Sequence, residues 1–178
     1  MCMKNVLLII LSFIVCISCS ESDVVHTSGE DYSVIHTGNS LPAFSVTASD
    51  GTVYTDRSLR GTVAVIVFFN TDCSDCRKEL PQINTAYKAL LSNEQVRFIA
   101  ISRAQNAADV AAYWSKEGLD IPYSAQSDRS VYSMFATQGI PRIYIADPSG
   151  KIRFVSSDTD MPDAATLIGA IKQYLPSL

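Results

Sequence analysis

Apolar and polar positions alternate in short segments along most of the chain, and each segment predicts one element of secondary structure. Between residues 44 and 54 the alternation runs on both sides of Asp50-Gly51, which predicts a β-hairpin. The uninterrupted apolar run Val63–Phe69 predicts a buried strand. Residues 73–91 carry apolar side chains at helical spacing and predict an amphipathic helix.

The rest of the pattern continues with strands and helices in turn. Strands are predicted at 96–101, 123–126, 142–146 and 151–155, and helices at 106–117, 129–136 and 164–174. The order ββ, then β-α-β-α-β-α-β-β-α, is typical of an α/β fold: a mixed β-sheet flanked by helices on both faces, with the hairpin as an N-terminal extension. At 178 residues, the chain is long enough for one such domain.

The first part of the chain has a different pattern. Residues 6–17 are almost wholly apolar and follow Lys4, which is typical of a signal peptide and too short for a membrane-spanning helix. The segment ends at Cys19 in a sequence that resembles a bacterial lipobox, although Cys16 stands where leucine is usual. The resemblance implies a lipoprotein signal peptide over residues 1–18 and lipidation of Cys19. Ordinary cleavage nearby and an uncleaved anchor are the alternatives.

Between this leader and the domain, residues 19–39 are rich in Ser, Glu, Asp, Thr and Gly and show little periodicity. We expect them to form a lipid-anchored flexible tether, with the domain proper at residues 40–178. The protein is therefore expected in the cell envelope, anchored to a membrane through its lipid and facing the periplasm. The acidic stretch at 20–23 resembles a signal for outer-membrane or surface export, which stays open as an alternative.

Charge and cysteine content narrow the function. The chain has a formal net charge of −4 and no basic stripe, which argues against a nucleic-acid partner. Without the leader and the lipidated cysteine, only Cys73 and Cys76 remain as thiols. Such a pair in an exported protein points to redox chemistry that needs no cofactor beyond the reversible disulfide. Zinc would need four ligands, but the mature domain offers no second pair, and His26 and His36 lie in the tether.

The position of the Cys-x-x-Cys pair suits thiol-disulfide exchange. It follows the buried strand Val63–Phe69 and starts the next helix, where the field of the helix favours a thiolate. Two cysteines this close in the chain can form a disulfide with little movement. A static structural disulfide is the alternative, but it would close a very short loop and therefore add little stability.

Three motifs, taken together, resemble the thioredoxin superfamily, and within it the TlpA/ResA-like exported thiol-disulfide oxidoreductases. They are Cys73-Ser74-Asp75-Cys76 followed by Arg77-Lys78-Glu79-Leu80-Pro81, the hairpin pattern Leu41-Pro42-x-Phe44…Asp50-Gly51…Leu59-x-Gly61, and Gly139-Ile140-Pro141 followed by Asp147-Pro148-x-Gly150-Lys151. The resemblance covers residues 41–178 and implies a thioredoxin-like fold.

The resemblance also implies roles for the matching residues. Cys73 is expected to be the attacking thiol, and Cys76 the resolving thiol that breaks the mixed disulfide. Glu79 matches an acidic residue that some ResA-like proteins keep near the dithiol, as a proton acceptor or for substrate recognition. Pro141 matches the cis-proline of the family, which would present the backbone of Ile140 to an extended segment of the client.

Two acids distinguish this sequence from most of the family. Asp72 stands where a tryptophan is usual before the first cysteine, and Asp75 lies between the two cysteines. Both carboxylates oppose the field of the helix and disfavour the thiolate, which makes the disulfide relatively more stable, while Arg77 and Lys78 offset part of the effect. We therefore expect a protein that reduces or isomerises disulfides, with Asp72 and Asp75 beside the bound substrate.

The expected clients are disulfide-containing exported proteins, including apocytochrome c, and the resemblance implies a membrane electron donor of the DsbD/CcdA type. Two other functions stay open. One is a peroxidase of the AhpC/TSA peroxiredoxin class. Its Pro-x-x-x-Thr-x-x-Cys motif is not met, because Thr71 lies two residues before Cys73 and no proline precedes it there. The other is a non-catalytic surface lipoprotein that binds a partner.

Overall fold

The structure is a computed structural model that describes residues 31–176. The elements follow in the order β1 Ser45–Thr47, β2 Val53–Thr55, β3 Val63–Phe69, α1 Ser74–Leu90, β4 Val96–Ser102, α2 Ala107–Glu117, β5 Tyr123–Ser124, α3 Ser130–Ser133, β6 Arg142–Ala146, β7 Ile152–Ser156 and α4 Ala164–Lys172. The predicted signal peptide and the lipidation site Cys19 lie outside the described residues.

The main sheet has five strands in the order β5-β4-β3-β6-β7. Strand β3 runs parallel to β4 and antiparallel to β6, and β7 returns antiparallel to β6. Every residue of the central strand β3 is buried, although successive side chains point to opposite faces, so both faces of the sheet are covered. The predicted mixed sheet of an α/β fold is thus confirmed. Strands β1 and β2 form a separate antiparallel hairpin before it.

The parallel pairing of β3 with β4 determines where the site lies. Phe69, the last residue of β3, is in register with Ser102, the last residue of β4, so the loops after both strands meet at one edge of the sheet. There the Arg103 backbone N–H donates to the Phe69 carbonyl at 2.7 Å. The Asn70 side-chain amide in turn donates to the Arg103 carbonyl at 3.1 Å. These bonds hold the loop that carries the cysteines against the end of β4.

The helix ends agree with the sequence for α2 but not for α3. Asn106 caps α2 by accepting a hydrogen bond from the Asp109 N–H at 2.9 Å, and Gly118 ends it with a left-handed backbone, φ 62°. Helix α3 is shorter than the predicted 129–136. After Ser133, the N–H groups of Met134 and Phe135 donate to the carbonyls three residues before them, and the Thr137 N–H donates to the Tyr32 carbonyl, so the helix does not continue.

The structure also differs from the expectation of a flexible tether up to residue 39. Ser33 forms a β-bridge with Ala136, and the Gly38 N–H donates to the Ile152 carbonyl at 2.8 Å. The side chain of Arg142 adds a hydrogen bond to the Ser33 hydroxyl at 2.8 Å. Residues 31–39 therefore pack as part of the domain. These contacts join segments that are about a hundred residues apart, which local composition does not reveal. In the part of the chain that the structure describes, no helix is long and apolar enough to cross a membrane.

Candidate active site

Cys73 occupies the N-cap position of helix α1, at the edge where β3 and β4 end. Its backbone N–H donates to the Asn70 carbonyl at 3.1 Å, and its half-buried sulfur accepts a hydrogen bond from the Cys76 N–H at 3.5 Å. The sulfur thus lies at the positive end of the helix, next to backbone donors. This position stabilises negative charge on Cys73 and suits an attacking thiolate.

Cys76 lies inside the first turn of α1 and is fully buried. Burial raises the pKa of the Cys76 thiol above its ordinary value, because the thiolate would lose its hydration. Both cysteines are free thiols in the structure. Cys73 is therefore accessible to a partner, whereas Cys76 is shielded and protonated until its proton is taken. Among residues 31–176, no group of three or more His, Cys, Asp and Glu side chains is arranged to hold a metal ion.

The loop before β6 forms the other side of the site. The Ile140–Pro141 peptide is cis, as the resemblance implied. The Cys73 thiol donates to the Ile140 carbonyl at 3.5 Å, so this backbone lies directly beside the reactive sulfur. Tyr132 holds the loop in place, since its hydroxyl donates to the carbonyl of Gly139 at 2.7 Å. The structure therefore brings Cys73, Ile140 and Pro141 together, as the motifs predict.

Glu79 lies three residues after Cys76 on α1 and is only 4% exposed. Its Oε1 atom has no hydrogen-bond partner among the described residues. Burial raises the pKa of Glu79 to about 7, and the negative charge of Asp163 adds to the shift. Asp163 is the N-cap of α4, where its carboxylate accepts a hydrogen bond from the Thr166 N–H at 2.8 Å. A carboxyl group with this pKa can take up or release a proton near neutral pH.

The two distinctive acids, Asp72 and Asp75, have a different environment. Asp72 is 85% exposed and lies 3.8 Å from the Arg77 guanidinium. Asp75 forms an ion pair with Lys78 at 2.9 Å, also at the surface. Each carboxylate thus has a cation beside it and water around it, and both conditions weaken its effect on the dithiol.

Sequence reasoning missed the buried polar pair that supports the cysteine loop. Thr71 and Gln105 are both buried. The Thr71 N–H donates to the Gln105 side-chain carbonyl at 3.0 Å, and the Gln105 amide donates to the Thr71 hydroxyl. The Thr71 hydroxyl is therefore engaged away from Cys73. The sequence offered one signal for this pair. Gln105 follows β4, and the loops after the parallel strands β3 and β4 meet at the same edge of the sheet.

Comparison with known families and proteins gives consistent results. Residues 36–168 match the model of the Redoxin family. Among curated proteins, thiol-disulfide oxidoreductase ResA of Bacillus subtilis is 25% identical over 125 residues, which is 70% of this chain and 69% of that protein. The ResA protein of Geobacillus thermodenitrificans is 22% identical over 141 residues, covering 79% of this chain and 77% of its own length.

Solved structures share the fold. A candidate protein disulfide isomerase from Bacteroides thetaiotaomicron superposes with a TM-score of 0.75 at 27% identity, covering 82% of this chain and 93% of that chain. A thioredoxin-family thiol:disulfide interchange protein from Chlorobium tepidum has a TM-score of 0.68 at 24% identity, covering 79% of this chain and 99% of its own. The predicted thioredoxin-like fold is therefore confirmed.

Proposed function

The chain belongs to the Redoxin family, and we propose that it is a thiol-disulfide oxidoreductase that reduces or isomerises disulfides of exported proteins. One observation carries the proposal above the others. The sulfur of Cys73 lies at the N-terminus of α1, beside the Ile140 carbonyl, while its partner Cys76 is buried one turn inside. This asymmetry suits an attacking thiol and a protected resolving thiol.

In the first step, the Cys73 thiolate attacks one sulfur of a client disulfide. A bond forms between Cys73 and that sulfur, the client S–S bond breaks, and the other client sulfur leaves as a thiolate. The N-terminus of α1 stabilises the attacking anion. The backbone beside Pro141 is available to hydrogen-bond an extended client segment, and Ile140 already lies within 3.5 Å of the reactive sulfur.

In the second step, Cys76 gives up its proton and attacks Cys73. The new Cys73–Cys76 disulfide forms, the mixed disulfide breaks, and the client leaves as a dithiol, so two electrons pass from protein to client. Because burial keeps Cys76 protonated, this step needs a proton acceptor. Glu79 fits that role, since its carboxyl lies on the same helix with a pKa of about 7.

The oxidised protein must then be reduced again before a further turnover. A membrane donor of the DsbD/CcdA type is the expected source of electrons, and exported proteins such as apocytochrome c are expected clients. The lipobox-like sequence at Cys19 supports a lipid anchor in the cell envelope, with the domain facing the periplasm. The resemblance to the TlpA/ResA-like proteins supports the electron donor and the clients.

The reduction potential tests the direction of exchange. It is measured on the chain from residue 20 onward, in which Cys73 and Cys76 are the only cysteines. We expect a potential near that of thioredoxin, about −270 mV, after equilibration in dithiothreitol buffers. A value of about −120 mV, as for a strong oxidant, contradicts the reducing direction. If the wild type, like Cys73→Ser, has no dithiol that exchanges with the buffer, the proposed oxidoreductase function is wrong.

A further inference from the structure

Two arginines share one tyrosine ring at the edge of the site. The guanidinium carbon of Arg103 lies 5.1 Å from the centre of the Tyr132 ring, and that of Arg129 lies 5.9 Å from the same centre. Tyr132 is buried, whereas Arg103 is half-buried and Arg129 is exposed, so both guanidinium groups lie on the solvent side of the ring. Contact with an aromatic face favours each cation, but it does not neutralise either charge.

Neither guanidinium has an anionic partner within residues 31–176. The side chains of Arg103 and Arg129 form no ion pair and no hydrogen bond there. Asp128, the neighbour of Arg129 in sequence, uses its Oδ1 atom to accept hydrogen bonds from the N–H and the hydroxyl of Ser130. Two like charges on one ring repel each other, and an incoming carboxylate would relieve that repulsion.

The position of the two arginines links them to the dithiol. The carbonyl of Arg103 accepts a hydrogen bond from Asn70, whose own carbonyl accepts from the N–H of Cys73. Tyr132, which both arginines contact, donates to Gly139 immediately before the Ile140–Pro141 bond. The cationic surface thus lies between the cysteine loop and the loop that is expected to hold the client.

The other charges near Cys73 do not supply a free cation. Arg77 lies beside Asp72, and Lys78 is paired with Asp75, so these four residues are neutral as a group. The whole chain has a net charge of −4. The rest of the protein is acidic on average, so the positive surface formed by Arg103 and Arg129 attracts the acidic side of a client. It therefore favours the orientation in which that side faces the two arginines.

We propose that Arg103 and Arg129 form a docking surface for Asp or Glu side chains that flank the disulfide of the client. The inference rests on the proposed exchange function and specifies which clients it favours. A guanidinium binds a carboxylate through two parallel hydrogen bonds, and the tyrosine ring holds both groups in a fixed position for that contact. The partner is thus a disulfide-containing protein with an acidic segment next to its cysteines.

The test measures the first chemical step by itself. The full chain with Cys76→Ser is mixed with either of two disulfide peptides that differ only in carrying Glu or Gln beside the disulfide. The adduct at Cys73 is quantified by mass spectrometry over time. We expect faster reaction with the Glu peptide. The double change Arg103→Gln and Arg129→Gln should slow that reaction about threefold to tenfold and leave the Gln peptide unchanged. The preference should shrink as salt is added.

Two matched variants separate docking from folding. Arg97→Gln removes an arginine from the opposite end of β4, where its guanidinium donates to the carbonyls of Glu94 and Val96, and it should leave the preference intact. The double change to lysine at positions 103 and 129 keeps the charge and should restore most of the preference. Equal wild-type rates for both peptides, or equal slowing of both in the Gln variant, overturn the docking surface alone. Reaction of Cys73 with neither peptide overturns the proposed function as well.

Discussion

The acids close to the dithiol in sequence differ in their surroundings. Asp72 and Asp75 are next to the cysteines in sequence, yet both are at the surface with a cation nearby. Glu79 is further along the chain, but it is buried, and its Oε1 has no hydrogen-bond partner among the described residues. Burial raises the pKa of Glu79 to about 7.

From this difference we infer that solvation, more than distance along the chain, decides which carboxylate affects the dithiol. Water and counter-charges reduce the influence of an exposed acid to a small fraction of its Coulomb energy. A buried acid loses that screening and titrates where catalysis needs it. We therefore propose that Glu79 transfers the proton and that Asp72 and Asp75 have only a minor electrostatic effect.

The largest loss of activity is expected when the attacking thiol Cys73 is removed. Neither the exposed acids nor Glu79 can influence the exchange without it. Cys73→Ser should abolish reduction of a disulfide client, because a hydroxyl does not replace the thiolate. Cys76→Ser should instead accumulate the mixed disulfide on Cys73, which is detected as a covalent adduct by mass spectrometry. Exchange that persists in Cys73→Ser would reverse the assigned roles of the two cysteines.

A smaller but still large effect is expected at the buried acid. Glu79→Gln should slow resolution of a preformed mixed disulfide about a hundredfold, the low end of what a positioned acid or base contributes. In the wild type this rate should rise with pH through about 7, because only the deprotonated carboxylate of Glu79 accepts the proton of Cys76. Stopped-flow mixing across pH should show that the variant lacks this rise. Asp75→Asn is the matched control and should keep the rise of the resolution rate with pH. If Glu79→Gln shows the same rise, Glu79 is not the proton acceptor.

Stability should depend on pH through the same group. The folded protein binds the Glu79 proton more tightly than the unfolded chain, because the pKa is raised from about 4.5 to about 7. The wild type should therefore lose stability as pH rises through that interval. Relative to wild type, Glu79→Gln should gain about 2–3 kcal/mol in free energy of unfolding between pH 4 and pH 8. Urea unfolding at both pH values measures the gain, and a difference that does not change with pH contradicts the burial of the charged form.

The smallest effect is expected at the exposed acids. Replacing both Asp72 and Asp75 with Asn removes charges that disfavour the Cys73 thiolate, so the reduction potential should become less negative. Because each of the two exposed ion pairs contributes at most about 1 kcal/mol, the change from the double substitution should stay under about 40 mV. Equilibration in dithiothreitol buffers measures it. A change several times larger would mean that the exposed acids, rather than Glu79, dominate the chemistry.

Much of the fold could be predicted from local sequence. Strand β3 has the predicted bounds Val63–Phe69, because an apolar run between polar residues defines a buried strand without further information. Helix α2 begins and ends at its predicted caps, Asn106 and Gly118. The dithiol and the Ile140–Pro141 loop could be found because their motifs are local and resemble a known family.

Other features depend on contacts between distant segments. From the sequence alone, Glu79 cannot be distinguished from the acids that helices commonly expose to solvent. Its pKa shift arises from burial and from Asp163 at the start of α4. Arg103 and Arg129 come together only because both approach Tyr132. No periodicity or motif encodes such contacts, which explains why sequence reasoning could propose Glu79 but could not identify its environment.

The central claim is tested most directly by the pKa of Glu79 itself. Nuclear magnetic resonance of its side-chain carboxyl carbon, followed across pH in the reduced protein, reports that value without a kinetic assay. We expect a midpoint near 7, as burial next to Asp163 requires. A midpoint of about 4.5, the ordinary value for glutamate, would show that Glu79 is hydrated like the acids at the surface and does not accept the proton of Cys76.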